Sequence, residues 1–369
     1  MRIKKSKSLN NDSVVIVCEG TETENAYFEE MGRFSPLARI KVLPEPSQPV
    51  STVDKERREM PPRSLESVIL DGVSSKSYIA GVKDVDDVEY QKYKTEPLRW
   101  VRAADLLKAH GKFYEAWAVY DLDQGRAHED AYEYIKSDEN LHIAFSGYSI
   151  EEWFLLHFER NEQAYLHSEC KKSEKIKCGH MKCDADWNCR GSKCLGGRLR
   201  ECNYIPEYSK SDGLSLAKLT LDAKQRHMAY VNAAWSRFYS NGKICERNPY
   251  SDVDMLVMRL LKEDYDIKWL KIGEEFDNDS RVYRLVNVDE TLKIQYLSDD
   301  SIGIIPAHHI YWCNSEYNML QSACAGANFN FNPQRREAEL CGKPDGDAIL
   351  CIKEMMGQTT REYYFEIHQ

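Results

Sequence analysis

Val14-Val15-Ile16-Val17-Cys18 is an unbroken apolar run that stops on Glu19-Gly20, and about a hundred residues later Ala116-Trp117-Ala118-Val119-Tyr120 stops on Asp121-Leu122-Asp123. Apolar runs of this length, without polar alternation, suit strands covered on both faces, as in a parallel sheet. Such strands can carry polar groups only at their ends, and open α/β sheets take ligands at the carboxyl ends. Alternate residues of an extended chain face the same way, so Asp121 and Asp123 can point at one site. Three carboxylates meeting there repel one another unless a cation intervenes, and a donor set made only of oxygen suits Mg2+ or Mn2+. The pattern predicts a metal-dependent site for phosphate chemistry. The plainer reading is three surface acids closing ordinary strands, which would be preferred for one acid alone.

The rest of the first 160 residues alternates in the same manner. Arg39–Leu43 and Leu141–Phe145 read as further strands. Helices are expected near Thr21–Met31, Glu96–His110, Ala131–Ile135 and Glu151–Phe158. This order implies an α/β fold with a parallel sheet flanked by helices. Residues 44–95 lose periodicity, contain five prolines up to Pro62, and read as an irregular insertion. A long amphipathic helix is expected over Leu216–Phe238 and another over Val253–Lys262. Beyond Ile272, short runs at Val282–Leu285, Thr291–Leu297, Ile302–Ile305 and His309–Trp312 suggest a small β-rich C-terminal domain. The expected division is a catalytic unit at 1–160, a cysteine-rich insertion at 161–206, a helical segment at 207–268 completing the core, and a β-rich domain of unassigned role at 269–369. A chain of 369 residues is long enough for two or three such units.

The ordered set Glu19-Gly20-x-x-Thr23-Glu24-x-x-Tyr27-Phe28, then Asp121-x-Asp123, then Ile150-Glu151-Glu152-Trp153-Phe154-Leu155-Leu156-His157-Phe158 resembles the RloB family, a branch of the Toprim-fold nucleases. The resemblance continues more weakly through Tyr208-Ser209-Lys210 and Asn248-Pro249-Tyr250-Ser251. It implies a Toprim-like, Rossmannoid sheet and a metal-dependent endonuclease that hydrolyses phosphodiester bonds in RNA, such as tRNA, or in DNA. It further implies Glu19 as acid or base, Asp121 and Asp123 as ligands of Mg2+ or Mn2+, and Lys210 as a cation beside the scissile phosphate. Glu24 and Glu151 would supply a second metal position about 4 Å from the first; the family pattern selects Glu151 over its neighbour Glu152. Acids that merely favour a helix start are the alternative for Glu24 and Glu151, and an exposed lysine is the alternative for Lys210. His157, on an apolar helix face, reads as a hydrogen-bonded core residue.

Six of the twelve cysteines fall between Cys170 and Cys202. Four residues separate Cys178 from Cys183, and four separate Cys189 from Cys194, and two short-spaced pairs can form a tetrahedral thiolate site for structural Zn2+. Redox-active thiols or a metal-free insertion remain alternatives. The stretch His167–Cys202 holds nine lysines and arginines against five acids, although the whole chain is at −10. Lys171, Lys172, Lys175 and Lys177 are therefore candidate nucleic-acid contacts, with a solvated face as the alternative.

Apolar runs of six residues at most exclude an expected membrane span, and the reduced cysteines suit a cytoplasmic setting. No Walker loop, dinucleotide fingerprint or metalloprotease helix is present. The resemblance instead implies bacterial antiviral defence under the control of a separate ABC- or AAA-type ATPase subunit; a homo-oligomer is compatible with it. The competing expectation is a non-catalytic sensor or scaffold whose Toprim-like core binds a nucleotide or a protein.

Overall fold

The computed structural model describes residues 11–20, 22–43, 97–122, 128–165, 168, 194–240, 242–278, 281–288, 291–298, 309–323 and 336–368. Asp123, the 44–95 stretch, the expected strand Ile302–Ile305, Cys178, Cys183, Cys189, Lys171, Lys172, Lys175 and Lys177 lie outside the described residues.

Strands β1 (Ser13–Cys18), β2 (Arg39–Leu43), β3 (Glu115–Asp121) and β4 (Leu141–Gly147) form a parallel sheet in the order β2-β1-β3-β4. The two-residue β5 (Tyr250–Ser251) adds an antiparallel edge to β4. The pleat sorts the apolar runs onto two cores. Val14, Ile16 and Cys18 join Trp117 and Val119 beneath α1 (Thr23–Phe34), whereas Val15 and Val17 join Ala116, Ala118 and Tyr120 beneath α2 (Leu98–Gly111). Helix α1 connects β1 to β2 on one face, and α2 connects β2 to β3 on the other. The chain order therefore reverses between β1 and β3, and the crevice beyond their carboxyl ends is where such sheets take ligands. The mixed α/β reading, with a parallel sheet and flanking helices, agrees with the structure.

The α2 face also receives α3 (His128–Ile135). The α1 face is thicker, with α4 (Glu151–Leu155), α5 (Leu195–Glu201), α6 (Gly213–Leu221), α7 (Ala223–Tyr239) and α8 (Val253–Leu261). The single helix expected over Leu216–Phe238 is two helices, α6 and α7, broken at Asp222. Asp222 leaves helical geometry and its carboxylate accepts the Gln225 amide at 2.9 Å, an N-cap that restarts the helix in a new direction. Helix α6 begins at Gly213, where a Cβ would lie 2.2 Å from the Ala26 carbonyl oxygen. Only glycine permits this approach of α6 to the α1 backbone.

A closed ring of buried hydrogen bonds ties α1, α4 and α6 together. The Trp153 indole donates to the Tyr27 hydroxyl (2.9 Å), which bonds Thr220 Oγ1 (2.9 Å); Thr220 Oγ1 meets His157 Nε2 (3.1 Å), and His157 Nδ1 meets the Trp153 carbonyl (2.9 Å). A carbonyl can only accept, so the proton is on Nδ1 and Nε2 accepts from Thr220; Tyr27 then donates to Thr220 and accepts from the indole. Each donor finds one acceptor. Burial pushes the His157 imidazole down to about 4, so it is neutral at pH 7.

The remaining strands are β6 (Tyr265–Trp269), β7 (Glu275–Asn278), β8 (Arg281–Val288), β9 (Thr291–Tyr296), β10 (Ile310–Cys313), β11 (Met319–Ser322), β12 (Glu337–Glu339), β13 (Ala348–Met356) and β14 (Thr359–Ile367). They build one sheet in the order β11-β10-β13-β14-β6 and another in the order β12-β9-β8-β7. Phe276, Tyr283, Leu285, Trp312, Leu350 and Phe365 share a core drawn from both. The stretch Tyr265–Trp269, read from sequence as the tail of a helical segment, instead pairs in parallel with β14. Trp269, Cys351 and Tyr364 then pack on Met228, Val231 and Trp235 of α7. No helix among the described residues is long and apolar enough to cross a membrane.

The hydrogen-bonded ring makes a testable demand on stability. His157 binds a proton near 6.5 in the unfolded chain but only near 4 in the fold, so the unfolded state takes up more protons as pH falls through that window. Stability from this group is complete above about 6.5 and declines by up to about 3 kcal/mol towards pH 4. Urea unfolding across pH 7 to 4 should show this decline in the wild type and a shallower one in His157→Gln, whatever that variant's overall stability. Equal slopes would refute the assignment.

Candidate active site at the carboxyl edge of the sheet

Glu19 and Asp121 lie on either side of the crevice between β1 and β3. The Glu19 amide donates to the Val119 carbonyl at 2.8 Å, and its Oε2 accepts from the Asp121 amide at 3.2 Å. The two strand ends are thus pinned side by side. Asp121 continues the parity of Trp117 and Val119 and faces α1 and α4. Its Oδ1 is buried and has no hydrogen-bond partner among the described residues.

Two helix-borne acids meet Asp121 there. Glu24, in the first turn of α1 and 7% exposed, shares a side-chain hydrogen bond with Asp121. Its carboxylate folds back over Gly20, where a Cβ would stand 2.3 Å from Glu24 Oε2. The glycine after Glu19 makes room for the second acid. Glu151 opens α4 just after β4 and is 1% exposed. Burial pushes the Asp121 carboxyl well above its ordinary value, and the charges of Glu24, Glu151 and Glu19 push it further. Burial also raises Glu24, with Glu151 adding to the effect and Lys210 opposing it. Both shifts favour a proton on the pair, which relieves the mutual repulsion of the adjoining carboxyls.

Glu151 is gripped from the other side. Its Oε1 accepts a 2.6 Å hydrogen bond from the Tyr208 hydroxyl and lies 3.5 Å from Lys210 Nζ, which also donates to Ser168 Oγ at 3.3 Å. Glu152, one residue on, turns away: its Oε2 accepts from Asn161 Nδ2 at 2.7 Å in a fully buried position. The structure thus gathers Glu19, Glu24, Asp121, Glu151 and Lys210 and leaves out Glu152 and His157. Tyr208 is the member that sequence reasoning gave no role; its one signal was a two-residue offset from Lys210. Gly20, too, was read only as punctuation.

Cys194 is buried, outside any disulfide, and precedes α5. The Gly196 amide donates to the Ser168 carbonyl at 2.8 Å, so the chain on the two sides of 169–193 meets beside Lys210. Among the described residues, no three His, Cys, Asp or Glu side chains are placed to hold a metal ion as they stand. Tyr208 and Lys210 offset part of the charge on Glu151. In donor type and charge the acids fit a hard divalent cation: every candidate ligand is a carboxylate oxygen, and Asp121 Oδ1 lacks a hydrogen-bond partner among the described residues.

No curated protein and no solved structure matches the chain. The family model described as RloB-like protein matches residues 14–260, more than half of the chain. That match spans β1, β3, α4 and the Tyr208–Lys210 segment and ends before β6. The chain belongs to the RloB-like protein family.

Proposed function

We propose that this protein is a divalent-cation-dependent phosphodiesterase, an endonuclease acting on RNA or DNA through a Toprim-like core. The observation that carries the reading is Asp121 Oδ1, a carboxylate oxygen buried among three further acids with no hydrogen-bond partner among the described residues. Such an atom calls for a water or an ion to complete it, and amid this much negative charge a cation fits best. Membership in the RloB-like family supports the same reading.

In this reading Asp121, Glu24 and Glu151 hold Mg2+ or Mn2+, with Asp123 a further ligand. The ion, when bound, supplies Lewis-acid stabilisation of the phosphate charge and a lower pKa for the attacking water. Glu19, half-buried at the mouth of the crevice, accepts the proton from that water as its oxygen bonds to phosphorus and the bond to the leaving oxygen breaks. Lys210, with its side chain 33% exposed beside Glu151, presents an ammonium to the negative charge that builds on the phosphate. Further parts of the proposal are Zn2+ on Cys178, Cys183, Cys189 and Cys194, substrate contact through Lys171, Lys172, Lys175 and Lys177, and control by an ATPase partner. These rest on sequence spacing, charge and family resemblance.

Two outcomes test the reading. Purified protein incubated with total RNA or plasmid DNA in Mg2+ or Mn2+ should cleave, alone or with its ATPase partner. Asp121→Asn and Glu19→Gln should each lower the rate by about 100-fold or more while leaving the thermal unfolding cooperative. Full activity in either variant would exclude its residue from the chemistry.

The second outcome concerns pH. The folded pKa values of Asp121 and Glu24 are raised, so above the ordinary carboxylate range of about 4 the native state keeps protons that the unfolded chain releases. Their contribution to stability is complete below that range and is lost as pH rises through the folded values. Metal-free protein should therefore melt at progressively lower temperature as pH rises from 5 towards 8, less so in Asp121→Asn. Added Mg2+ should raise the melting temperature most at the alkaline end, because binding displaces the proton on that pair. A Mg2+ effect independent of pH would contradict it.

A further inference from the structure

The Tyr208 hydroxyl is held too well for a loop side chain with no task. The ring is 5% exposed, lies under the Arg200 guanidinium (5.6 Å to its centroid) and packs near the Phe154 ring (6.5 Å). Its carbonyl accepts from Arg200 Nη1 at 3.1 Å, and its amide donates to the Ile205 carbonyl at 3.0 Å. Ile205 in turn donates to the Leu199 carbonyl at 2.8 Å, which straps the turn to α5. Backbone, ring and hydroxyl are all fixed before any ligand arrives.

The fixed hydroxyl donates to Glu151 Oε1. The 2.6 Å contact lies in the range of an O–H donating to a charged oxygen. Each carboxylate oxygen offers about two lone-pair directions. On Glu151 Oε1 one is taken by Tyr208, and Lys210 Nζ stands at 3.5 Å on the same oxygen. Oε2 carries neither of these contacts, and a cation approaching Oε1 would also meet the ammonium charge.

We infer that Tyr208 is a positioning residue that restricts Glu151 to one-oxygen coordination and so makes the acid site selective for Mg2+ or Mn2+ over Ca2+. The inference rests on the proposed cation site. Its physical basis is the difference between the ions. Mg2+ demands about six ligands in near-octahedral array and takes carboxylates through single oxygens. Ca2+ takes about six to eight oxygens in looser geometry and gains from bidentate carboxylates. A glutamate with one oxygen already engaged suits the first and handicaps the second. Removing the hydroxyl leaves Oε1 with the longer Lys210 contact alone and lets the carboxylate rotate, which costs the small ions their preset ligand and opens a chelate to the large one.

Calorimetric titration of the full chain with Mg2+, Mn2+ and Ca2+, for wild type, Tyr208→Phe and Asp121→Asn, tests this without reference to turnover. The wild type should bind Mg2+ and Mn2+ and disfavour Ca2+. Tyr208→Phe should bind Mg2+ and Mn2+ about 10-fold more weakly, while Ca2+ binding holds or tightens, so that the preference collapses. A Tyr208→Phe ratio equal to that of the wild type would overturn the inference and leave the cation site standing. Wild-type protein that binds Ca2+ as tightly as Mg2+ would overturn it from the first titration, even were the variant to misfold. Absence of any divalent binding by the wild type, or binding that survives Asp121→Asn undiminished, would instead remove the proposed cation site itself.

Discussion

Burial of β1 and β3 on both faces governs the arrangement of the parallel-sheet half of the molecule, because it confines polar groups to the strand ends. Val14 to Cys18 are all inaccessible to solvent, as are nearly all side chains from Ala116 to Tyr120. Charge can enter only one step further on, at Glu19 and Asp121. The helices that bury the strands then decide how wet that edge is. Helix α1 brings Glu24 over Gly20, and α4 brings Glu151 in from beyond β4. Four acids meet there, Glu24 and Glu151 buried and Glu19 and Asp121 half-buried.

Such a cluster is costly unless something offsets its charge. The offset is local and incomplete: the raised proton affinity of Asp121 and Glu24, the Tyr208 hydroxyl, and the Lys210 ammonium. Asp121 Oδ1 has no hydrogen-bond partner among the described residues. The same features that raise proton affinity raise affinity for a hard cation, since both relieve the same repulsion. The buried ring of Tyr27, Trp153, His157 and Thr220 lies immediately behind, and keeps the helices that carry Glu24 and Glu151 in fixed register. Rigid helices, rather than loops, position these two acids, which is what precise ligand geometry requires.

The strands and their terminal acids were legible because the period-two pattern and the apolar runs are strong signals. Glu24 and Glu151 were legible only through the motif order, since an acid in a first helical turn has an ordinary explanation. The break at Asp222 was missed although its signal was present: Asp222 followed three residues later by Gln225 is a capping pattern, masked by amphipathic continuity on both sides. Strand β6 was missed because Tyr265-Asp266-Ile267-Lys268-Trp269 alternates over only five residues, directly after a helix. Tyr208 was legible only as part of the weaker Tyr208-Ser209-Lys210 resemblance, with no role attached to it. Its role depends on a contact with a residue 57 positions away, made through a turn that has no periodicity.

A crystal structure of the Mn2+-soaked protein, with the ion located by its anomalous scattering, tests the central claim most directly. The account predicts a peak within bonding distance of Asp121 Oδ1, with Glu24 released from its hydrogen bond to Asp121 and Glu151 contributing Oε2 alone. An Asp121–Glu24 pair still hydrogen-bonded at saturating Mn2+, with the metal absent from the crevice or bound elsewhere, would contradict it.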